Sequence, residues 1–459
     1  MPLGRILVSR LGARAHQQGK TNNAVCNRSM LFLCVDAFLF EILPNDGLND
    51  ATKYIDEVDR MSHTVRPAPR KPRVALYSHD ALGLGHMRRN ALIAQTIAGS
   101  PLEAVVLLIS GAKELNAMCL GVGVDCVTLP ALTKDGAGEY RPRNLEISCS
   151  DLMGLRAMTI RAALDAFKPD IFIVDKLPRG VCRELDPALE LLRRTGTRCV
   201  LGLRDILDDP TTVAREWREN ESERAVADFY ETVWVYGDPT VYDLLREYNM
   251  STRVAEKVRF TGYLDSSRRI VGAIDPEVAA AIDSVDVDTP LVFCAVGGGQ
   301  DGAELAETFA DAALPHDSVG VLLTGPFMPA ATRQHLQSRA AKNPKLRLVE
   351  FTSEPAPLLR RADRVIAMGG YNTVCEVLCM EKSALIVPRT SPRTEQLIRA
   401  ERFRNLGALD LLDPASMTPA ALTDWLEREI QAPVGIADRI DFNGLSRIPH
   451  LATELLAVA

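Results

Sequence analysis

From Arg73 onward the chain alternates short apolar runs with longer stretches in which apolar residues recur every three or four positions. RVALYS (73–78), AVVLLIS (104–110), IFIVD (171–175), RCVLGL (198–203) and TVWVY (232–236) are each bounded by Gly, Pro or Asp. Runs without a polar alternate position predict parallel strands buried on both faces, and the amphipathic stretches between them predict the covering helices. After 264–290 the rhythm restarts with LVFCAVGGG (291–299), VGVLLTG (319–325), LRLVEF (346–351), RVIAMGG (364–370) and ALIVPR (384–389). The pattern therefore predicts an α/β protein with two parallel-sheet domains, over 71–265 and 285–435. A C-terminal helix is expected within 436–459, packed on either domain. Residues 1–70 lack the rhythm and run into RPAPRKP (66–72), which predicts a flexible extension. Within it, residues 1–60 are expected to be dispensable, with Met61 a natural start.

Composition narrows the function classes. At 459 residues and 47% hydrophobic content, the chain can bury two or three cores, in keeping with the restarted rhythm. The 53 basic residues are outnumbered by 60 acidic ones, for a net charge of −7, which argues against a nucleic-acid partner held by bulk charge. The apolar segment LFLCVDAFLFEIL (31–43) is shorter than the ~20 residues a membrane span needs and carries Asp36 and Glu41. No small-residue cleavage site follows it, so the expected location is cytoplasmic. The ten cysteines are scattered without CxxC spacing and read as free thiols. Cys375 and Cys379 lie four apart but have no histidine partner nearby, so no metal is expected there.

In open α/β sheets, ligands bind beyond the carboxyl ends of the strands, and four such loops carry candidate chemistry. In DALGLGHMRRN (80–90), Gly83 and Gly85 permit a tight turn, and His86 enters the first turn of a helix. The positive helix end disfavours an imidazolium, making His86 a neutral base or hydrogen-bond donor, with Arg88 and Arg89 beside it. The bland alternative is a turn with a packed histidine. In VGGGQDGAEL (296–305), Gly297, Gly298, Gly299 and Gln300 offer backbone N–H groups and a helix N-terminus to a diphosphate, although neither a GxGxxG nor a P-loop pattern is present. In MGGYNTVCEVL (368–378), Asn372 or Thr373 can cap a helix. Thr373 and Glu376 then form a capping box, while the functional alternative has Glu376 accept from two vicinal ribose hydroxyls. In PRTSPRTEQ (388–396), Glu395 and Gln396 suit sugar hydroxyls or a solvated helix start.

Together these stretches resemble the GT-B glycosyltransferases, specifically glycosyltransferase family 28. The resemblance covers about 71–430 and is more specific in the C-terminal half. It implies two Rossmann-like domains facing across a cleft, the first receiving the acceptor and the second holding a UDP-sugar. Gly85 and His86 match the family's Gly-His pair, and Gly297 to Gln300 its second glycine loop. Gly370, Thr373 and Glu376 match its GAxTxxE stretch, which makes Glu376 the ribose carboxylate. Glu395 and Gln396 fall on the Gln-Gln positions that hold the donor sugar. FTGY (260–263) sits where the family has a turn before the interdomain linker. GLGH is shorter than the family's GGTGGH and Glu395 replaces a glutamine, so the donor sugar is not fixed as N-acetylglucosamine. DKLPRG (175–180) and LRDILDDP (203–210) have no counterpart and point to a different acceptor.

The resemblance implies an inverting, metal-independent transferase with no cofactor. It would take a nucleotide-sugar donor, UDP-linked, and pass the sugar to a carbohydrate or lipid-linked acceptor of the cell envelope, with peripheral contact at the inner membrane face if the acceptor is lipid-linked. His86 is the expected base, with Asp205 or Asp175 as second choices. The Gly85, Arg89 and Asn372 positions are expected on the donor side. GLGHMRRN also resembles the G-x-GHxxR loop of a nucleotide-sugar hydrolase, in which the histidine activates water. UDP-sugar 2-epimerases share the fold but carry a D-S-G-G stretch absent here, and a non-catalytic sugar-nucleotide binder is the remaining alternative.

Overall fold

The computed structural model describes residues 70–80, 84–118, 120–134, 139–268, 274–352, 354–430, 433 and 435–457. The expectations for 1–60, for the 31–43 segment and for Gly83 fall outside them.

Among the described residues, nine strands precede residue 265: β1 (Arg73–Ser78), β2 (Val105–Ser110), β3 (Val124–Thr128), β4 (Leu132–Lys134), β5 (Tyr140–Pro142), β6 (Ile171–Asp175), β7 (Arg198–Arg204), β8 (Thr232–Tyr236) and β9 (Val258–Phe260). Seven of them form one sheet in the order β3-β2-β1-β6-β7-β8-β9, parallel throughout, while β4 and β5 make an antiparallel hairpin. The second sheet runs β12 (Leu346–Val349), β11 (Val319–Leu323), β10 (Leu291–Ala295), β13 (Arg364–Ala367), β14 (Ser383–Ile386) and β15 (Asp410–Leu411), again all parallel. The central strands are wholly buried, as their continuous apolar runs require; β6 and β10 show no exposed position. The strands that the apolar pattern did not signal (β3, β4, β5, β9 and β15) are short or peripheral, and β3 alternates half-buried with exposed residues.

The strand order reverses at β1 in the first sheet and at β10 in the second, because each has the next strand (β2, β11) on one side and a later one (β6, β13) on the other. These two switch points open crevices at the carboxyl ends of β1 and β6, and of β10 and β13. All four strand ends lead into loops singled out from the sequence. Helix α1 (Gly85–Ala98) follows β1, α2 (Cys149–Phe167) precedes β6, and α3 (Pro210–Glu219) follows β7. In the second domain α4 (Ala303–Asp311) follows β10, α5 (Tyr371–Cys379) follows β13, and α6 (Glu395–Asn405) follows β14. No helix among the described residues is long and apolar enough to cross a membrane.

The final helix, α7 (Gly444–Ala457), packs on α1 of the first domain. Its approach is fixed at the FTGY turn. Gly262 has φ +84°, and a Cβ there would overlap Asp441; Tyr263 N–H donates to the Asp441 carbonyl (2.7 Å) and Gly444 N–H to that of Tyr263 (3.0 Å). Tyr263 itself is a buried hub, stacked on Tyr371 at 6.1 Å and tilted against Phe403 (5.5 Å) and Phe442 (5.9 Å). One apolar core thus runs from the first sheet through this junction into the second.

Candidate active site

On the first-domain wall, β6 ends in Asp175 and α1 begins at Gly85, so the second helical residue, His86, stands over the strand end. His86 Nδ1 makes a very short contact with Asp175 Oδ2, and Arg89, one turn further on, reaches Asp175 Oδ1 through Nη2 (2.5 Å) and Nε (3.2 Å). Burial alone would raise the Asp175 carboxyl, but Arg89 and then His86 outweigh it and hold the group well below the usual carboxylate range. An ionised carboxylate can only accept, so the proton of this contact lies on Nδ1, and Nε2 keeps its lone pair. Arg89 Nη2 also lies 3.0 Å from Nδ1, and as a second donor it adds a repulsive charge there rather than a bond. Burial pushes the His86 imidazolium down to about 4, further than Asp175 pulls it up, so the ring is neutral at ordinary pH. Its side chain is 14% exposed, enough to present one edge to the cleft.

Two groups that carried no sequence signal complete this wall. His79 packs its ring 4.9 Å from that of His86, and its buried Nδ1 has no hydrogen-bond partner. Asp80 accepts from Ser78 (2.5 Å) and Ser110 (2.7 Å) through Oδ2; burial raises it to about 6. Polar residues directly after an apolar strand, as in YSHD, are the only signal that could have marked them.

The second-domain wall is mostly backbone. Gly297 and Gly299 have φ +64° and +89°. A Cβ on Gly299 would overlap the Thr324 carbonyl, whereas one on Gly297 would meet open space. Gly370 is extended (φ −64°, ψ 142°) and also opens onto empty space. It is the N-cap of α5, which corrects the capping expectation. Thr373 is the third helical residue and cannot pair with Glu376 as a capping box, because the N-cap, Gly370, lies two residues before Asn372 and three before Thr373. Asn372 instead donates from Nδ2 to the Gly85 carbonyl across the cleft (3.0 Å). Glu376, 3% exposed, accepts from Arg88 Nη2 at 3.1 Å. Glu395 is buried, with Oε1 on Arg389 Nη2 (2.8 Å) and Oε2 without a partner. Gln396 Oε1 accepts the Arg389 backbone N–H (3.1 Å), and Gln300 is exposed at the rim.

Asp205, a second-choice base, is placed elsewhere. It is fully buried, and Arg399 of α6 binds it through Nη2 (2.7 Å) and Nε (3.0 Å), with Tyr263 OH at 3.2 Å. With both oxygens held, this carboxylate joins the domains and does not face the cleft. Asp208 likewise takes Thr394 N–H (2.9 Å) and Arg393 Nη1 (2.9 Å) at the start of α6, while Asp209 caps α3 through Thr212 N–H (3.0 Å). The cavity between the walls is lined by Arg88, Arg89, Tyr371, Asn372, Cys375 and Glu376 among others; of the predicted donor residues it brings together Arg89, Asn372 and Glu376, while the Gly297–Gln300 loop, Glu395 and Gln396 lie outside its lining.

With two switch-point crevices facing each other, the comparison with known families becomes decisive. Residues 293–439 match the model of the glycosyltransferase family 28 C-terminal domain. The chain carries a family 28 C-terminal domain. UDP-N-acetylglucosamine–N-acetylmuramyl-(pentapeptide) pyrophosphoryl-undecaprenol N-acetylglucosamine transferase of Clostridium kluyveri is 35% identical over 82 residues, 17% of this chain and 23% of that enzyme. The chain thus spans about a quarter of the length of the first curated relatives it matches. The enzyme of the same name from Mannheimia succiniciproducens is 22% identical over 312 residues, 61% of this chain and 75% of its own. The crystal structure of Acinetobacter baumannii MurG superimposes with a TM-score of 0.50 at 15% identity, covering 83% of this chain and 99% of that one. The two-domain architecture is therefore GT-B, and the family 28 domain contributes the glycine loop, α5 and α6.

Proposed function

We propose that this protein is a glycosyltransferase that moves a sugar from a nucleotide-diphosphate donor, UDP-linked, to a carbohydrate or lipid-linked acceptor. The observation that carries this reading is the pairing of a neutral His86, its Nε2 freed by Asp175, with the glycine loop of a family 28 domain on the opposite wall.

The acceptor hydroxyl attacks the anomeric carbon as its proton passes to His86 Nε2, while the bond to the diphosphate breaks. Because the attacking oxygen and leaving group occupy opposite faces of the sugar, one displacement inverts the anomeric centre. Asp175 stabilises the imidazolium that forms, and Arg89 keeps Asp175 ionised. Backbone N–H groups of the Gly297–Gly299 loop and the start of α4 offset the charge developing on the diphosphate. In this role Glu376 exchanges Arg88 for two ribose hydroxyls, and Glu395 Oε2 with Gln396 meets sugar hydroxyls. The reading is metal-independent: Asp208 and Asp209, an acidic pair at the end of β7, already take protein donors. Lipid-linked acceptors would bring the protein to the inner membrane face as a peripheral partner.

The test is incubation with UDP-, GDP- and dTDP-sugars, with and without cell extract and with and without chelator, followed by mass spectrometry. Extract-dependent transfer of the sugar to a larger product, unaffected by chelator, is expected. Free sugar released equally without extract would replace the acceptor by water and make the protein a hydrolase, and an epimerised donor would make it a 2-epimerase.

A further inference from the structure

Among the described residues, five arginines in and around the junction of the two domains each meet a carboxylate: Arg88 with Glu376, Arg89 with Asp175, Arg389 with Glu395, Arg393 with Asp208 and Arg399 with Asp205. Two further cations do not. Among the described residues, neither Lys176 Nζ nor the Arg204 guanidinium has a hydrogen bond or ion pair, and Arg204 Nε is buried without a partner. They belong to DKLPRG and LRDILDDP, the two strand-end stretches that the family resemblance leaves unexplained.

Their placement is fixed by the sheet. Asp175 pairs with Gly202 and Arg204 with Tyr236 in register, so Arg204 leaves β7 on the face that carries Asp175. It lies within electrostatic reach of Glu395 first, then of Arg399, Arg89 and Asp205, and of His86. Lys176 follows Asp175 with φ +68°, a conformation that costs a side-chain-bearing residue and is held by its N–H bond to the Gly202 carbonyl (2.8 Å). Burial and then Arg204 and Arg393 press the Lys176 ammonium down to about 7, against a smaller opposing pull from Glu395 and Glu216. Both residues are half-buried, and holding two like charges close together where water is partly excluded is unfavourable until an anion arrives. Glu395 is the carboxylate whose charge reaches both cations, but it hydrogen-bonds neither: its Oε1 takes Arg389 and its Oε2 has no partner.

We propose that Lys176 and Arg204 form a subsite for an anionic group, a phosphate or a carboxylate, carried by the substrate that enters beside His86. This deepens the transferase reading and rests on it for the source of the anion. In an inverting displacement the leaving diphosphate departs away from the base, so cations on the base's own wall face the acceptor. The favoured substrate class is therefore an acidic acceptor, such as a uronate-containing or phosphate-linked saccharide, with the donor's diphosphate as the other source of the same chemistry.

The experiment uses the full chain, Lys176→Met, Arg204→Gln and the double variant, with inorganic phosphate and glucuronate as probes. Thermal stabilisation is read with and without saturating UDP, and UDP affinity is titrated separately. In anion-free buffer the variants should melt no lower than wild type, since no partner is lost; a lower Tm would make the cations structural and overturn the subsite. Stabilisation by either probe that survives UDP and is weakened about tenfold or more in the double variant places the anion on the acceptor. Stabilisation abolished by UDP, with UDP affinity itself falling about tenfold in the double variant, assigns the subsite to the donor diphosphate. If neither probe stabilises wild type, or if probe and UDP binding are unchanged in the double variant, the proposal fails. None of these readings needs sugar transfer, so an inactive sugar panel would sink the transferase reading alone.

Discussion

The two walls of the cleft are built from different materials. The first-domain wall is made of side chains: His86, Asp175, Arg89, Lys176 and Arg204 converge from the ends of β6 and β7 and the start of α1. The second-domain wall is largely backbone, glycines at the ends of β10 and β13 with carboxylates set behind them. Side chains with shifted protonation can move protons, whereas open backbone can approach a phosphate closely but has nothing to titrate. Under the proposed function the chemistry belongs to the first wall and donor recognition to the second, and substitutions on the two walls should separate kcat from donor affinity.

The largest expected effect is at His86. His86→Ala should lower kcat by about 10²–10⁴-fold, the usual contribution of a general base, while UDP affinity stays within about twofold. Glu376→Ala should do the reverse, weakening UDP binding by about ten- to a hundredfold through loss of charge-assisted bonds to the ribose. Rapid-quench kinetics and calorimetric titration on the two variants check this, and matching losses in both quantities would erase the contrast between the walls.

Between the walls, Asp205 and Arg399 should behave as a structural joint. Asp205→Ala leaves a fully buried guanidinium unpaired and should cost about 3–5 kcal/mol in urea unfolding. Replacing both partners with apolar residues of similar size should cost much less, because the desolvation of each charge disappears with it. A double variant no more stable than Asp205→Ala would show that the pair is not the joint.

Much of this contrast is visible in the sequence, and the invisible part has a physical reason. The central strands announce themselves because burial on two faces leaves no polar position, and the loops at their carboxyl ends carry His86, the Gly297–Gly299 run and Glu376. Edge strands such as β3 escape, since one exposed side restores polar residues and removes the signal. The joint escapes for another reason: Asp205 and Arg399 are 194 residues apart, and nothing local distinguishes a carboxylate that meets an arginine of the other domain from one that meets substrate. Lys176 and Arg204 are likewise meaningful only once the other five arginines are seen to be matched.

The backbone wall can be tested glycine by glycine. Gly299→Ala combines a positive φ with overlap on the Thr324 carbonyl and should destabilise by about 1–3 kcal/mol. Gly370→Ala meets neither obstacle, so its melting temperature should be unchanged while UDP affinity falls, the new methyl standing where a phosphate or ribose would approach. If Gly370→Ala binds UDP normally, the open space beside it is not part of the donor site.

Protonation gives the finest test of the side-chain wall. Neutral His86 is required above about 4, so the acid limb of kcat/KM should fall there and not near the ordinary 6.5. The same depression affects stability: between 6.5 and about 4 the unfolded chain binds the His86 proton more tightly, so stability is lost as pH falls through that window. Lys176 acts in a different range. Its folded value of about 7 lies below the ordinary 10.5, so the unfolded chain holds the extra proton between the two, and folding stability gains as pH rises across that interval. Other groups titrate there as well, but the difference between wild type and Lys176→Met isolates this one. Urea midpoints at about pH 7.5 and about pH 10 should show wild type gaining on the variant with rising pH. The gain should be small, because the lysine is only partly shielded from water. An equal pH slope in both proteins would mean that Lys176 keeps an ordinary ammonium, and that the side-chain wall carries less uncompensated charge than its geometry implies.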